Sequence, residues 1–204
     1  MKLIIASNNE HKVKEIREIL GSYFSDMVTL KEAGVDIDVI EDGTTFEQNA
    51  IKKAVEVLAL CSNYDAALAD DSGLMVDALD GAPGVYSARF AGEGHDTLAN
   101  NAKLMEMMVS VPKEKRTARF ASSVALARRN KEIVCVTGYC QGEILFEARG
   151  QNGFGYDPYF FYPPLNKSFA ELTSEQKNSV SHRHQSLLML KEHLDNECEN
   201  WSLF

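Results

Sequence analysis

Apolar positions along the chain change their period several times, and each change marks an element. "KLIIAS", Lys2 to Ser7, is a short β-branched run. The spacing then turns helical, with Val13, Ile16, Ile19 and Leu20 in one stripe that Gly21 ends. The chain therefore opens strand, tight polar turn, helix. "TTFEQNAIKKAVEVLAL" predicts a second helix: Thr44 and Glu47 have capping-box spacing, and Ala50, Ile51, Ala54, Val55 and Leu58 line one face. "YDAALAD" reads as a buried strand that ends in Asp70 and Asp71. A third helix is expected from Asp96, with Leu98, Ala102, Met105 and Met108 inward. "RTARFASSVALARR" and "KEIVCVTGYCQGEILFEA" read as long paired strands turning near Asn130. A last helix is predicted from Lys177 to Leu194, packing through Val180, Leu187, Leu188 and Leu194. Early alternation of helix and strand followed by a long strand pair favours an α/β fold: a mixed sheet with helices on its faces.

Length and charge narrow the function. At 204 residues the chain suits one domain, or two small lobes sharing a sheet. A net charge of -9 argues against a nucleic-acid partner, although a local basic cluster can still hold a small anion. The first apolar run is too short for a signal peptide or a membrane span. Cys61, Cys135, Cys140 and Cys198 lack paired metal-ligand spacing, so reduced thiols in a cytoplasmic protein are expected.

Five stretches carry candidate chemistry. "SNNEHK", Ser7 to Lys12, places free backbone N–H groups and a lysine at a helix start, which suits an anion; taken alone, a plain helix cap explains it as well. Walker A spacing is absent, which disfavours a P-loop NTPase. Glu41-Asp42 and Asp70-Asp71 are paired acids, the oxygen donors that hard divalent ions take and that activate water. A solvated turn explains the first pair. The second follows an apolar strand and needs a cation or hydrogen-bond donors. "GAPGVYSARFAG", with Arg89, reads equally as an ordered loop. "QNGFGYDP" offers Phe154 or Tyr156 as a stacking face between glycines. In "EQKNSVSHRHQ", Lys177, His182 and Arg183 are expected to project away from the packing face, as donors to a base or phosphate or as a solvated helix surface.

In order, "SNNEHKVKE", "EDGTTFEQNA", "ADDSGLMVDALDGAPGVYSARFAG", "NGFGYDPYF" and "EQKNSVSHR" closely resemble the inosine triphosphatase-like family, the pyrophosphatases of non-standard purine nucleoside triphosphates. The likeness runs from the first strand to the last helix. It implies a single ITPase-like domain over residues 1–204, with an elongated mixed sheet, two lobes and a central cleft for the substrate. It implies hydrolysis of ITP, dITP or XTP to the monophosphate and pyrophosphate with Mg²⁺, in a homodimer. Carried over by position, Ser7, Asn8, Asn9, Glu10, His11 and Lys12 hold the triphosphate. Asp71 is the general base and a metal ligand, and Ser72 touches the substrate. Phe154, Gly155, Tyr156 and Asp157 border base and sugar, while Lys177, His182 and Arg183 read the purine. Many family members carry paired acids before the Gly of the second motif, whereas Ile40 holds the earlier place here. Glu41 is therefore the second metal candidate, with Asp42 its alternative. Under this reading Mg²⁺ and lysines, Lys12 and Lys52 among them, let Asp70 and Asp71 stay ionised together.

Overall fold

The structure, a computed structural model, describes residues 1–201 and the side chains of residues 1–198. Seven strands of the described residues form one mixed sheet: β1 (Lys2–Ile5), β2 (Asp26–Thr29), β3 (Ala66–Val76), β4 (Thr117–Arg128), β5 (Val134–Ile144), β6 (Phe160–Tyr162) and β7 (Lys167–Ser168). Their order is β2-β1-β3-β4-β5-β6-β7. β1 pairs in parallel with β2 and with β3, where Leu3 faces Ala66 and Ile5 faces Leu68; β6 pairs antiparallel with β5 and β7. The helices are α1 (Glu10–Leu20), α2 (Phe46–Leu60), α3 (Thr97–Met107), α4 (Ser174–Val180) and α5 (His182–Trp201). Contacts divide the chain into two compact units: residues 1–71, 122–138 and 183 onward, and residues 72–121 with 139–182.

In the first unit the period-2 pattern of the strands sorts side chains onto two faces. Leu3, Ile5, Ala66, Leu68, Val124 and Leu126 pack against Val13, Ile16 and Leu20 of α1 and Leu187, Leu190 and Leu194 of α5. Ile4, Ala67, Ala69, Ala125 and Ala127 point the other way, to Ala50, Ala54, Val57 and Leu58 of α2. Alanines on both sides of the α2 contact let helix and sheet approach closely. The second unit gathers Leu74, Leu104, Met108, Phe120, Ile144, Phe160 and Phe169 around an aromatic cluster. Phe120 and Phe160 lie 4.6 Å apart between centroids, and Phe160 meets Phe169 edge-on at 4.8 Å.

Several sequence expectations change. The cap of α2 is Thr45, which accepts the Gln48 N–H, while Gln48 Oε1 accepts the Thr44 N–H at 2.9 Å. The cap thus falls one residue later, and Gln48 in place of Glu47 reaches back, to the residue before the cap. Val55 is exposed, because the buried stripe runs Phe46, Ala50, Ala54, Val57, Leu58. In α3, Leu98 and Ala102 face outward, whereas Asn100, Asn101 and Leu104 are buried. Asn100 holds backbone of the preceding loop, accepting the Ala91 N–H at 2.6 Å and donating to the Ala88 carbonyl at 3.0 Å. The predicted last helix is two helices, broken where Ser181 turns extended at ψ 152°. Val180 therefore packs in the second unit and Leu187 in the first, and Leu188 is exposed.

The largest change concerns β3, which continues through Asp70-Asp71-Ser72-Gly73 to Val76. Polar residues hid this continuation from a reading by hydrophobicity. Gly73 is required there, since an added Cβ would lie 2.3 Å from Ser87 Oγ and 2.7 Å from the Gly84 carbonyl oxygen. Ser87 Oγ accepts the Leu74 N–H at 2.9 Å, so the "GAPGVYSARFAG" loop closes on the strand as an ordered loop. Gly73→Ala should destabilise the protein by about 1–3 kcal/mol through overpacking, measured by urea unfolding.

Candidate active site

The pleat of β3 separates its two acids. Asp70 continues the Ala66-Leu68 series toward α1 and α5, and Asp71 continues the Ala67-Ala69 series toward α2. Adjacent in sequence, the two carboxylates point to opposite faces.

Asp70 is neutralised by the fold itself. Its side chain is fully buried. Oδ1 takes the Lys12 ammonium, and Oδ2 accepts from Arg183 Nε at 3.0 Å and from Ser122 Oγ at 2.8 Å. Burial alone would raise this carboxyl, but the charges of Arg183 and Lys12 and the hydrogen bonds from Lys12 and Ser122 hold it well below the usual carboxylate range. Arg183 also lies 3.6 Å from Glu15. Arg183 and His182 were expected to project away from the packing face, as ligand donors or as a solvated surface; both are buried, because the break at Ser181 turns the start of α5 inward.

Among the described residues no cation forms an ion pair with Asp71. It accepts from Asn49 Nδ2 at 2.9 Å. Burial pushes its carboxyl up to about 6; the Glu41 and Asp70 charges add to the rise, while the Asn49 hydrogen bond and the Lys12 charge offset part of it. The acid that keeps Asp71 company is Glu41, which pairs with Lys53. Asp42 is exposed and pairs with Lys52 at 2.7 Å, so Lys52 answers Asp42 and not the β3 acids.

A cavity of about 200 Å³ is lined by Ser7, Asn8, Lys12, Lys53 and the acids Asp38 and Asp70, among others. Two ammonium groups, a hydroxyl and an amide suit a polyanion. The loop before α1 is tied by its own side chains. Asn9 caps the helix, accepting the His11 and Lys12 N–H groups at 3.1 and 3.2 Å. Ser7 Oγ accepts the Asn9 N–H at 3.2 Å, and Asn8 Oδ1 the Lys31 N–H at 3.1 Å. Glu10 and His11 are exposed. The capping role expected of this stretch is thus filled by Asn9, and Lys12 supplies the charge.

The second unit holds the other predicted group. Phe154 is half exposed, with the Lys177 ammonium 4.3 Å from its ring centre. Lys177 is held by Asp157, whose Oδ2 also accepts the Phe154 N–H at 2.8 Å. Gly153 has φ +76°, and a Cβ there would lie 2.1 Å from Asp157 Oδ2, so only glycine permits this turn. Asn101 Nδ2 donates to the Gly155 carbonyl at 3.0 Å. Tyr156 is buried and donates to the Ser87 carbonyl at 2.8 Å, which leaves Phe154 as the available stacking face. His182 stacks on Phe120 at 5.0 Å, and Ser72 is half-buried on β3.

Asn49 and Lys53 were missed from sequence. They lie four apart on α2, in phase with Val57, and this second stripe was masked by the Ala50-Ala54 stripe beside it. The residues that could hold a metal are Asp71 and Glu41, whose charge acts on Asp71. Hard carboxylate oxygens fit Mg²⁺, which uses one or two carboxylates plus phosphate oxygens. A cation would also relieve the repulsion that helps to raise Asp71. Among the described residues no group of three or more His, Cys, Asp or Glu gathers as a metal cage.

The two acids should respond oppositely to neutralisation. Asp70→Asn takes the central anion from the buried Arg183 and the half-buried Lys12 and should cost about 3–5 kcal/mol. Asp71 has a folded pKa above its unfolded value, so its contribution to stability is complete below about pH 4 and is lost as pH rises through about 6. Asp71→Asn should therefore stabilise the metal-free protein by up to about 3 kcal/mol at pH 8, with little difference at pH 4. Denaturant melts at both pH values check this.

Comparison with known proteins places this geometry in company. The Ham1 family profile matches residues 3–193. A dITP/XTP pyrophosphatase of Leuconostoc mesenteroides is 52% identical over 185 residues, covering 90% of this chain and 91% of that protein. One from Desulforamulus reducens is 51% identical, covering 92% of each. The structure of the Staphylococcus aureus Ham1 protein superposes with a TM-score of 0.88 at 37% identity, over 97% of this chain and 100% of that one.

Proposed function

Because the chain belongs to the Ham1 family, we propose that it hydrolyses non-standard purine nucleoside triphosphates, dITP, XTP and ITP, to the monophosphate and pyrophosphate. The observation that carries this reading is the buried Asp71, fixed by the Asn49 amide at 2.9 Å with the charges of Glu41 and Lys12 acting on it. A carboxylate with a pKa near the operating pH is a competent general base. Asp71 takes the proton of a water that attacks the α-phosphorus, and the bond to the bridging oxygen breaks to release pyrophosphate. Lys12, anchored on Asp70, and Lys53 stabilise the charge that grows on the leaving group. Mg²⁺ fits Asp71 and Glu41 and, when bound, supplies neutralisation of the phosphate oxygens. Ser7, Asn8, Asn9, Glu10 and His11 complete the triphosphate loop, and Ser72 touches the substrate.

Phe154 stacks on the purine, and Gly155 lets backbone come close, on a loop shaped by Tyr156 and Asp157. Lys177 and His182 donate to the 6-carbonyl of hypoxanthine or xanthine. Adenine offers an amino donor there and would leave those groups unpaired, at about 1–3 kcal/mol for each. Arg183 serves through Asp70, whose charge it balances. The chain acts as one ITPase-like domain, in a cytoplasmic homodimer, on free nucleotides and not on nucleic acid, in keeping with its charge of -9. Among the described residues no helix is long and apolar enough to cross a membrane.

Incubation with dITP and Mg²⁺ should give dIMP and pyrophosphate in equal amounts; orthophosphate without pyrophosphate would contradict the mechanism. Asp71→Asn should lower kcat by about 10²–10⁴-fold. Lys177→Ala should narrow the kcat/KM preference for dITP over dATP by about tenfold or more, and an unchanged ratio would remove Lys177 from base recognition.

A further inference from the structure

We propose that Asn49 is a positioning residue that ties the Glu41–Gly43 loop to Asp71, so that one amide sets the spacing of the two carboxylates. The idea rests on the preceding reading, in which Asp71 and Glu41 act together. Asn49 is almost wholly buried on α2. Its Oδ1 accepts the Gly43 N–H at 2.7 Å, and its Nδ2 donates to Asp71 Oδ2 at 2.9 Å. A backbone N–H can only donate and an ionised carboxylate can only accept, so both ends demand the same orientation of the amide. A flipped amide would face both partners with a like dipole.

Gly43 completes the arrangement. A Cβ at this position would sit 2.5 Å from Asn49 Oδ1 and 2.9 Å from Gln48 Cβ. The absent side chain is what lets the loop backbone reach the amide. Asn49 contributes nothing special to its helix, where alanine is the better former, and a buried amide costs free energy unless both its ends are paired. Its value is therefore the link itself. Asp71 Oδ2 is held toward α2, which leaves Oδ1 for the reactants, while the loop carrying Glu41 is fixed two residues from its anchor at Gly43.

The test uses the full chain with Asn49→Ala and Asn49→Leu, and with Gly43→Ala, which keeps the amide but displaces its partner. We measure kcat and KM for dITP, the affinity for Mn²⁺ by electron paramagnetic resonance without nucleotide, and hydrogen exchange at the Gly43 amide. In folded variants kcat should fall and the Mn²⁺ dissociation constant rise, each by about 10–100-fold, with KM little changed. The Gly43 amide should lose protection in both Asn49 variants. A folded variant with a lower melting temperature but wild-type kcat and Mn²⁺ affinity would overturn the proposal, because Asn49 would then be structural only. Should both Asn49 variants fail to fold, Gly43→Ala decides by the same readouts. If the wild-type protein releases no pyrophosphate from dITP, the functional reading fails, while Mn²⁺ affinity and amide exchange still judge Asn49.

Discussion

Successive side chains on a strand must leave on opposite faces, and in β3 this rule assigns different lives to two neighbouring aspartates. The face shared with α1 and α5 supplies Lys12, Arg183 and Ser122 to Asp70. The face shared with α2 supplies Asp71 with an amide and the company of another acid. Had the two carboxylates shared a face, they would have competed for the same cations. Alternation sets one among the cations that hold the fold and leaves the other for the chemistry proposed here.

Their energetics differ accordingly. The Asp70 cluster is a buried ion network whose Coulomb attraction offsets a large desolvation penalty, so its integrity depends on every member being present. It also anchors Lys12, whose ammonium lines the polar cavity, and it draws the start of α5 inward through Arg183. Asp71 is buried against its preference for water. Its unrelieved cost is the kind of local instability that functional sites retain, since a cation or a proton removes it.

Much of this was legible in the sequence and some was not. The first strand, the stripe of α1, the start of α3 near Asp96 and the turn at Asn130 follow from local period and turn chemistry. β3 was cut short because hydrophobicity falls at Asp70, although the backbone ladder is indifferent to that and Leu74 and Val76 resume the buried pattern. The break at Ser181 carries no glycine or proline, so nothing local announced it. Arg183 looked like a surface donor because its partner Asp70 lies 113 residues earlier. Asn49 and Lys53 were hidden for a similar reason: polar residues on an amphipathic helix read as its wet face until a tertiary partner is known. The motifs singled out the acids, and the third dimension set them on opposite faces of β3.

The most direct measurement is a pH titration of the side-chain carboxyl carbons of Asp70 and Asp71 by nuclear magnetic resonance, in the metal-free protein. Asp71 should titrate near pH 6, and Asp70 should remain ionised throughout the range in which the protein stays folded. Titration of both groups together near the ordinary aspartate value, or of Asp70 above Asp71, would contradict the division of roles by the pleat.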